Sequence, residues 1–284
     1  MKTTLKMIAA FAVITSVLYA CQEGLDETPV VEEEVPQAVL DKLISAGYST
    51  QDVFKTDWNG QEGYVVEYDM FFTDAAINDL KQDEHIPNTE HYRTTNLVTG
   101  VPRVIKVALD PSFSQTARNA FLETLAIYNA ENLLLSFEEA TITVTGKGKK
   151  QTVTTDADIV ISAFRERPRR GFITLGRAAG FPTSSGDPAE GFGLNTYWID
   201  NFGPSQAEIR GVMLHEIGHC IGFRHTDYMT RESCGSNTNE GSAGVGAIYI
   251  PGTPTGSDAT SWMQACGPAD DFNNNDVIAL NELY

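Results

Sequence analysis

Residues 104–109 carry Val104, Ile105, Val107 and Leu109 and stop at Asp110-Pro111, a pattern that predicts a strand. Ala117, Phe121, Leu125 and Tyr128 then recur at spacings of four, four and three, the period of a helix with one apolar face. Residues 133–137 (LLLSF) and 159–164 (IVISAF) are two further apolar runs of strand length. Residues 171–198 scatter glycines between strand-like pieces, with a loop at residues 181–186 (FPTSSG). A second helix is signalled by Ser205 and Glu208, the S-x-x-E pattern in which each side chain bonds the other's free backbone N–H. The run 209–221 follows, with Leu214, Ile217 and Ile221 as its buried stripe. Upstream, Val39, Leu40, Leu43 and Ile44 predict a short helix that stops at Gly47, and residues 63–72 (GYVVEYDMFF) predict one strand. Strands with one helix among them, then a second helix, then a loop-rich tail predict an α+β body, α/β-like, around a mixed sheet.

Charge divides this body from what precedes it. The chain of 284 residues carries a formal charge of −18, and residues 22–92 hold 17 acidic side chains against 3 basic ones. So few Lys and Arg exclude nucleic acid as a partner, because phosphate neutralisation depends on them. Residues 22–36 are acidic, contain two prolines and have no usable period, the composition of a flexible tether.

The first twenty residues have the form of an export signal. Lys2 and Lys6 flank residues 7–17, an almost unbroken apolar run that is shorter than the roughly 20 residues of a spanning helix. Leu18-Tyr19-Ala20-Cys21 resembles a bacterial lipobox, in which the cysteine is diacylated and becomes the mature N-terminus. Leu18-Tyr19-Ala20 has only one of the two small residues that ordinary signal peptidase selects. The expected organisation is a lipoprotein signal peptide at 1–20, an acidic tether and propeptide-like or accessory region at 21–92, and a catalytic domain at 93–284. The protein is then extracytoplasmic and attached to an outer membrane or cell surface through its N-terminal lipid, with release as the alternative. Cys220, Cys234 and Cys266 remain, so at most one disulfide forms within the chain. The pair Cys234–Cys266 is expected, with Cys220 as a buried, inert thiol.

The chemistry is concentrated in residues 215–225, HEIGHCIGFRH. His215 and His219 stand four apart, so a helix places both imidazoles on one face, one above the other. Such a pair holds Zn²⁺ at about 2.0–2.1 Å. Glu216 points away from that pair and reaches a metal-bound water rather than the metal. Gly222 lets the helix stop in the left-handed conformation, and the chain turns back to bring His225 as third ligand. A fourth position stays open for water, which marks a catalytic site. Five fixed residues at these spacings arise by chance in about one chain in 10⁵ of this length, from ordinary residue frequencies. This constellation predicts peptide hydrolysis by zinc-activated water, with Glu216 as base and then acid.

The same residues resemble the extended zinc motif of the metzincins, H-E-x-x-H-x-x-G-x-x-H, and the chain is similar to the dual-action HEIGH metallopeptidase family of bacterial lipoproteins. That resemblance implies a zinc endopeptidase acting on polypeptide substrates. It implies a mixed five-stranded sheet, an active-site helix, a Met-turn and a C-terminal helix. The last strand would run antiparallel beside the cleft, pair with bound peptide and lie within residues 178–197. Ser261-Trp262-Met263 resembles the Met-turn, with Met263 as hydrophobic floor beneath the zinc ligands, and residues 276–284 are similar to the closing helix. Ala265 stands where related enzymes place a Tyr that helps stabilise the oxyanion, which leaves more of that load to zinc. Residues 66–70 (VEYDM) resemble the F-x-G-D stretch of astacin-like propeptides, which would put the Asp69 carboxylate in the open zinc position. The alternative reads Asp69 as a solvated strand residue of an accessory domain. Asp227, two residues after His225, either steadies the third ligand or is a solvated turn residue. Two other functions share the motif: a zinc-stabilised adhesion module without catalysis, and a zinc amidase acting on a non-protein amide.

Overall fold

The computed structural model describes residues 34–80, 91–145, 152–169, 171–241, 245–254 and 256–284. Helix α1 (Gln37–Ser45) leads into strands β1 (Phe54–Trp58), β2 (Gln61–Val66) and β3 (Met70–Thr73), helix α2 (Asp74–Asp79) and the short strand β4 (Tyr92–Arg93). Strand β5 (Arg103–Leu109), helix α3 (Gln115–Ala130) and strands β6 (Leu135–Glu139), β7 (Thr143–Thr145), β8 (Thr152–Thr154) and β9 (Ile159–Phe164) follow. Strands β10 (Gly176–Ala178) and β11 (Gly191–Asn195) precede helices α4 (Thr196–Phe202) and α5 (Gln206–Ile221). Strand β12 (Ile248–Tyr249) and helix α6 (Asn274–Leu283) complete the chain.

Eight strands form one mixed sheet in the order β1-β2-β3-β10-β11-β9-β5-β6. Strands β6, β5, β9 and β11 pair in parallel, and β10 lies antiparallel to β11. These five strands are the sheet that the metzincin resemblance implies, and the three N-terminal strands extend it past β10. The strand beside the cleft is therefore Gly176–Ala178, and only its last residue falls within the expected span 178–197. Gly-Arg-Ala has neither the length nor the composition that marks a strand in sequence.

Helices α3 and α5 pack on this sheet over a core that includes Ile105, Val107, Phe121, Tyr128, Ile161, Phe192, Leu214 and Ile217. Ser114 caps α3 by accepting from the Ala117 N–H, and the helix buries Ala117, Ala120, Phe121, Thr124, Leu125 and Tyr128 on one face. Helix α5 is anchored at both ends. Ser205 and Glu208 form the capping box at its start. At its end Gly222 adopts φ 111°, and its N–H donates to His219 O while Phe223 N–H donates to Gly218 O. That pair of bonds is a Schellman stop, which turns the chain back under the helix. Every residue from Gly211 to Ile221 is buried, so α5 is enclosed all round rather than along a stripe.

The stretch 63–72, which reads as one strand, folds as β2 and β3 around a tight bend. Glu67 (φ 56°) and Tyr68 (φ 70°) both enter the left-handed region. Neither is Gly or Asn, so each costs on the order of 1 kcal/mol and no local signal announces it. Residues 54–73, which belong to the acidic block by charge, thus supply three strands to the sheet of the body. Their side chains cover both faces at β10: Tyr64, Val66, Met70 and Phe72 pack with Ala178 and Phe181. On the other face Trp58, Val65 and Phe71 pack with Phe164, and Trp58 Nε1 donates to Ser162 Oγ at 3.2 Å.

Candidate metal centre

Helix α5 carries His215 and His219 one turn apart, and the Schellman stop returns the chain so that His225 faces them. The Nε2 atom of His219 lies 3.1 Å from that of His215 and 3.2 Å from that of His225. All three rings are buried. Each Nδ1 faces an atom that only accepts: Trp262 O for His215 (2.9 Å), Phe223 O for His219 (2.9 Å) and Glu240 Oε1 for His225 (2.6 Å). Nδ1 therefore carries the hydrogen on each ring, and a neutral ring turns its Nε2 lone pair inward. Three lone pairs aimed at one buried point repel each other unless a metal ion or a proton lies between them.

Asp69 closes the cluster. Its Oδ2 lies 2.7 Å from His225 Nε2 and 3.9 Å from the Nε2 of both His215 and His219. The four ligand atoms all lie within 4.8 Å of one another. Three imidazoles and one carboxylate suit four-coordinate zinc. Burial works against charge on His225, but the Glu240 and Asp69 carboxylates outweigh it and push the ring up to about 10. The same two carboxylates would draw a divalent cation to this point. Burial also works against charge on Asp69, and the neighbouring His225 and His215 still hold its carboxyl well below the usual range.

Glu216 stands beside the histidines, only 2% exposed, and its Oε2 has no hydrogen-bond partner among the described residues. Burial and the Asp69 charge push its carboxyl well above the usual range. Gly176 on β10 makes room for it, since a Cβ there would lie 2.1 Å from Glu216 Oε1. A cavity of about 330 Å³ opens next to Glu216 and His215, with Phe172, Ile173, Leu175, Val212, Ala265 and Pro268 among its walls.

Met263 packs beneath the helix, where a Cβ on Gly218 would come within 2.5 Å of its Sδ. Trp262 and Met263 also orient the ligands through their backbones, since Trp262 O accepts from His215 and Met263 O accepts from Thr226 N–H at 2.9 Å. Asp276, the N3 residue of α6, accepts from Trp262 N–H (3.3 Å) and so ties the C-terminal helix to this turn. Cys234 and Cys266 are joined by a disulfide, and Cys220 is a buried free thiol. Cys21 and residues 1–20, on which the lipid-anchor expectation rests, lie outside the described residues.

Two expectations from the sequence need correction here. Asp69 is 7% exposed and faces the histidines, so it is not a solvated strand residue. Asp227 neither steadies His225 nor lies in solvent. It is buried and accepts from Ser233 Oγ (2.6 Å), Ser233 N–H (3.0 Å) and Ala265 N–H (2.9 Å), bracing the loop around the disulfide. The residue behind His225 is Glu240, which the sequence does not single out because it sits in an irregular loop with no periodicity.

No curated protein sequence matches the chain. Among solved structures, the chain is similar to two of myroilysin and one of a hatching enzyme zinc-protease. The first myroilysin structure is 10% identical, covers 66% of this chain and 96% of its own, and has a TM-score of 0.39. The second is 12% identical over 72% and 99%, also with a TM-score of 0.39. High choriolytic enzyme 1 from the medaka fish Oryzias latipes is 14% identical over 64% and 88%, with a TM-score of 0.35. The sequence pattern of the dual-action HEIGH metallopeptidase family matches residues 64–284, a span that includes both the histidine helix and the segment bearing Asp69. The chain belongs to that family and is a zinc metallopeptidase.

Proposed function

We propose that the protein is a zinc endopeptidase acting on extracytoplasmic proteins, with His215, His219 and His225 as zinc ligands, Glu216 as catalytic base and Asp69 as an internal block. The observation that carries this reading is the convergence of three Nε2 atoms, with fixed tautomers, beside a buried carboxylate whose Oε2 has no partner among the described residues. Zinc, when bound, supplies Lewis acidity at the scissile carbonyl and lowers the pKa of water to about 7. Glu216 accepts the proton from the attacking water and delivers it to the departing amine nitrogen. The apolar cavity beside Glu216 suits a substrate side chain, and β10 offers a backbone edge to an extended peptide.

In the full chain that edge is already used. Met70 bridges to Ala178 in parallel, and Ala178 N–H donates to Asp69 O at 2.8 Å. Arg231 grips the bend from below, with Nη2 donating to Glu67 O at 2.8 Å. These contacts support a latent full-length enzyme.

The test is protein digestion by the Asp69→Ala chain before and after chelation. A chelator should abolish peptide-bond cleavage, and added zinc should restore it. Cleavage that persists without metal would overturn the reading, and zinc binding with no cleavage of any protein would favour an adhesion module or an amidase. The extracytoplasmic site of action rests on Lys2, Lys6, the apolar run 7–17 and Cys21. Membrane fractionation of a Cys21→Ser chain tests it, and unchanged fractionation and processing would remove the lipid anchor from the account.

A further inference from the structure

The three histidines are not held alike. His215 and His219 donate to backbone carbonyls that the helix and its turn set in place. His225 donates to a carboxylate, Glu240 Oε1, at 2.6 Å, from a loop fifteen residues further along. Glu240 is 1% exposed, and its backbone N–H is fixed to Tyr228 O at 2.8 Å. Arg231 Nη1 donates to the same Oε1 at 2.7 Å, and Arg224 Nη2 reaches Oε2 at 3.4 Å. Arg224 is itself pinned by Gly241 O and Gly246 O, both at 3.1 Å. A buried carboxylate is costly unless paired and hydrogen-bonded, and here two guanidiniums hold it against one ring nitrogen.

We propose that Glu240, clamped by Arg231 and Arg224, is a positioning residue that orients His225 and strengthens it as a metal ligand. His225 comes from a turn beyond the helix, so it lacks the pre-set geometry that α5 gives His215 and His219. A carboxylate behind its Nδ1–H fixes ring rotation and tautomer together and raises electron density at Nε2. A backbone carbonyl would fix the tautomer with less effect on donor strength. The competing role is structural: Glu240 serves only to neutralise two buried arginines. The two roles differ in what they predict for the metal.

This inference rests on the zinc-centre reading, and the experiment separates the two. Zinc affinity of the full-length chain is measured by chelator competition for wild type, Glu240→Gln and Glu240→Asp, beside the thermal melting of each metal-free chain. Glu240→Gln keeps the size of the side chain but removes its charge. It should weaken zinc binding by about 10- to 100-fold, the usual range for a partner behind a metal-bound histidine. Glu240→Asp keeps the charge one methylene short and should fall between it and wild type. The visible bands of the cobalt-substituted protein should shift in the same order. Zinc affinity within twofold of wild type for a folded Glu240→Gln chain would overturn the proposal, whatever its melting temperature. If that variant does not fold, Glu240→Asp decides, and unchanged affinity and cobalt bands would overturn it. A wild-type chain that binds no zinc would instead defeat the metal-centre reading.

Discussion

Asp69→Ala in the full-length chain is expected to raise protein digestion by about 10- to 100-fold. The carboxylate lies 2.7 Å from His225 Nε2, in the position that a catalytic zinc site leaves open for water. The segment that carries it is held at several points: the Ala178 bond to Asp69 O, the Arg231 bond to Glu67 O, and the Ser49 N–H bond to Glu67 Oε1 at 2.9 Å. If these contacts and the apolar clusters around β10 favour docking by only about 3 kcal/mol, fewer than about 1% of molecules are open at a given moment. Removing the carboxylate frees the metal position but leaves β3 beside β10, so the gain should stop short of full activity. Asp69→Asn keeps a weaker oxygen donor and should lie between. Deleting residues 22–92 is a poorer test, because it would also strip Trp58, Val65 and Phe71 from the sheet face they cover. A wild-type chain that digests protein as fast as Asp69→Ala would remove the block from the account.

The second large effect is expected at Glu216. In the Asp69→Ala background, Glu216→Gln should lower digestion by about 10²- to 10⁴-fold, the usual contribution of a positioned acid–base group. Zinc content should not change, because Glu216 is absent from the four residues whose ligand atoms converge. The substitution also preserves side-chain volume, which matters because Gly176 leaves room for little else at this point. Loss of zinc along with activity would make Glu216 a ligand or a structural group. Digestion within tenfold of the parent would leave the reaction without its base.

What the sequence disclosed was local and periodic. Helix α5 was legible because Ser205, Glu208 and Gly222 punctuate it and because His215 and His219 fall one turn apart. The third ligand was legible because Gly222 permits the turn that returns the chain. Strand 159–164 was legible because an apolar run of six has few other uses. Three features were hidden for separate reasons. The bend at Glu67 and Tyr68 uses left-handed backbone at residues that carry no turn signal, so β2 and β3 read as one strand. Strand β10 is three residues long and owes its place to pairing with β11 rather than to its own composition. Glu240 acts across a loop, and Asp227, nearer in sequence, was the natural but mistaken candidate for its place behind His225. Resemblance to a propeptide motif pointed to Asp69, but only the fold shows its carboxylate among the three histidines.

The central claim is that one zinc ion sits between His215, His219 and His225. Crystals of the zinc-loaded full-length protein, measured on both sides of the zinc absorption edge, test it most directly. The account predicts one strong anomalous peak within bonding distance of all three Nε2 atoms, about 2.0–2.1 Å from each, with Asp69 as the fourth ligand. A zinc-loaded crystal with no peak at that point, or with its metal bound elsewhere, would contradict it.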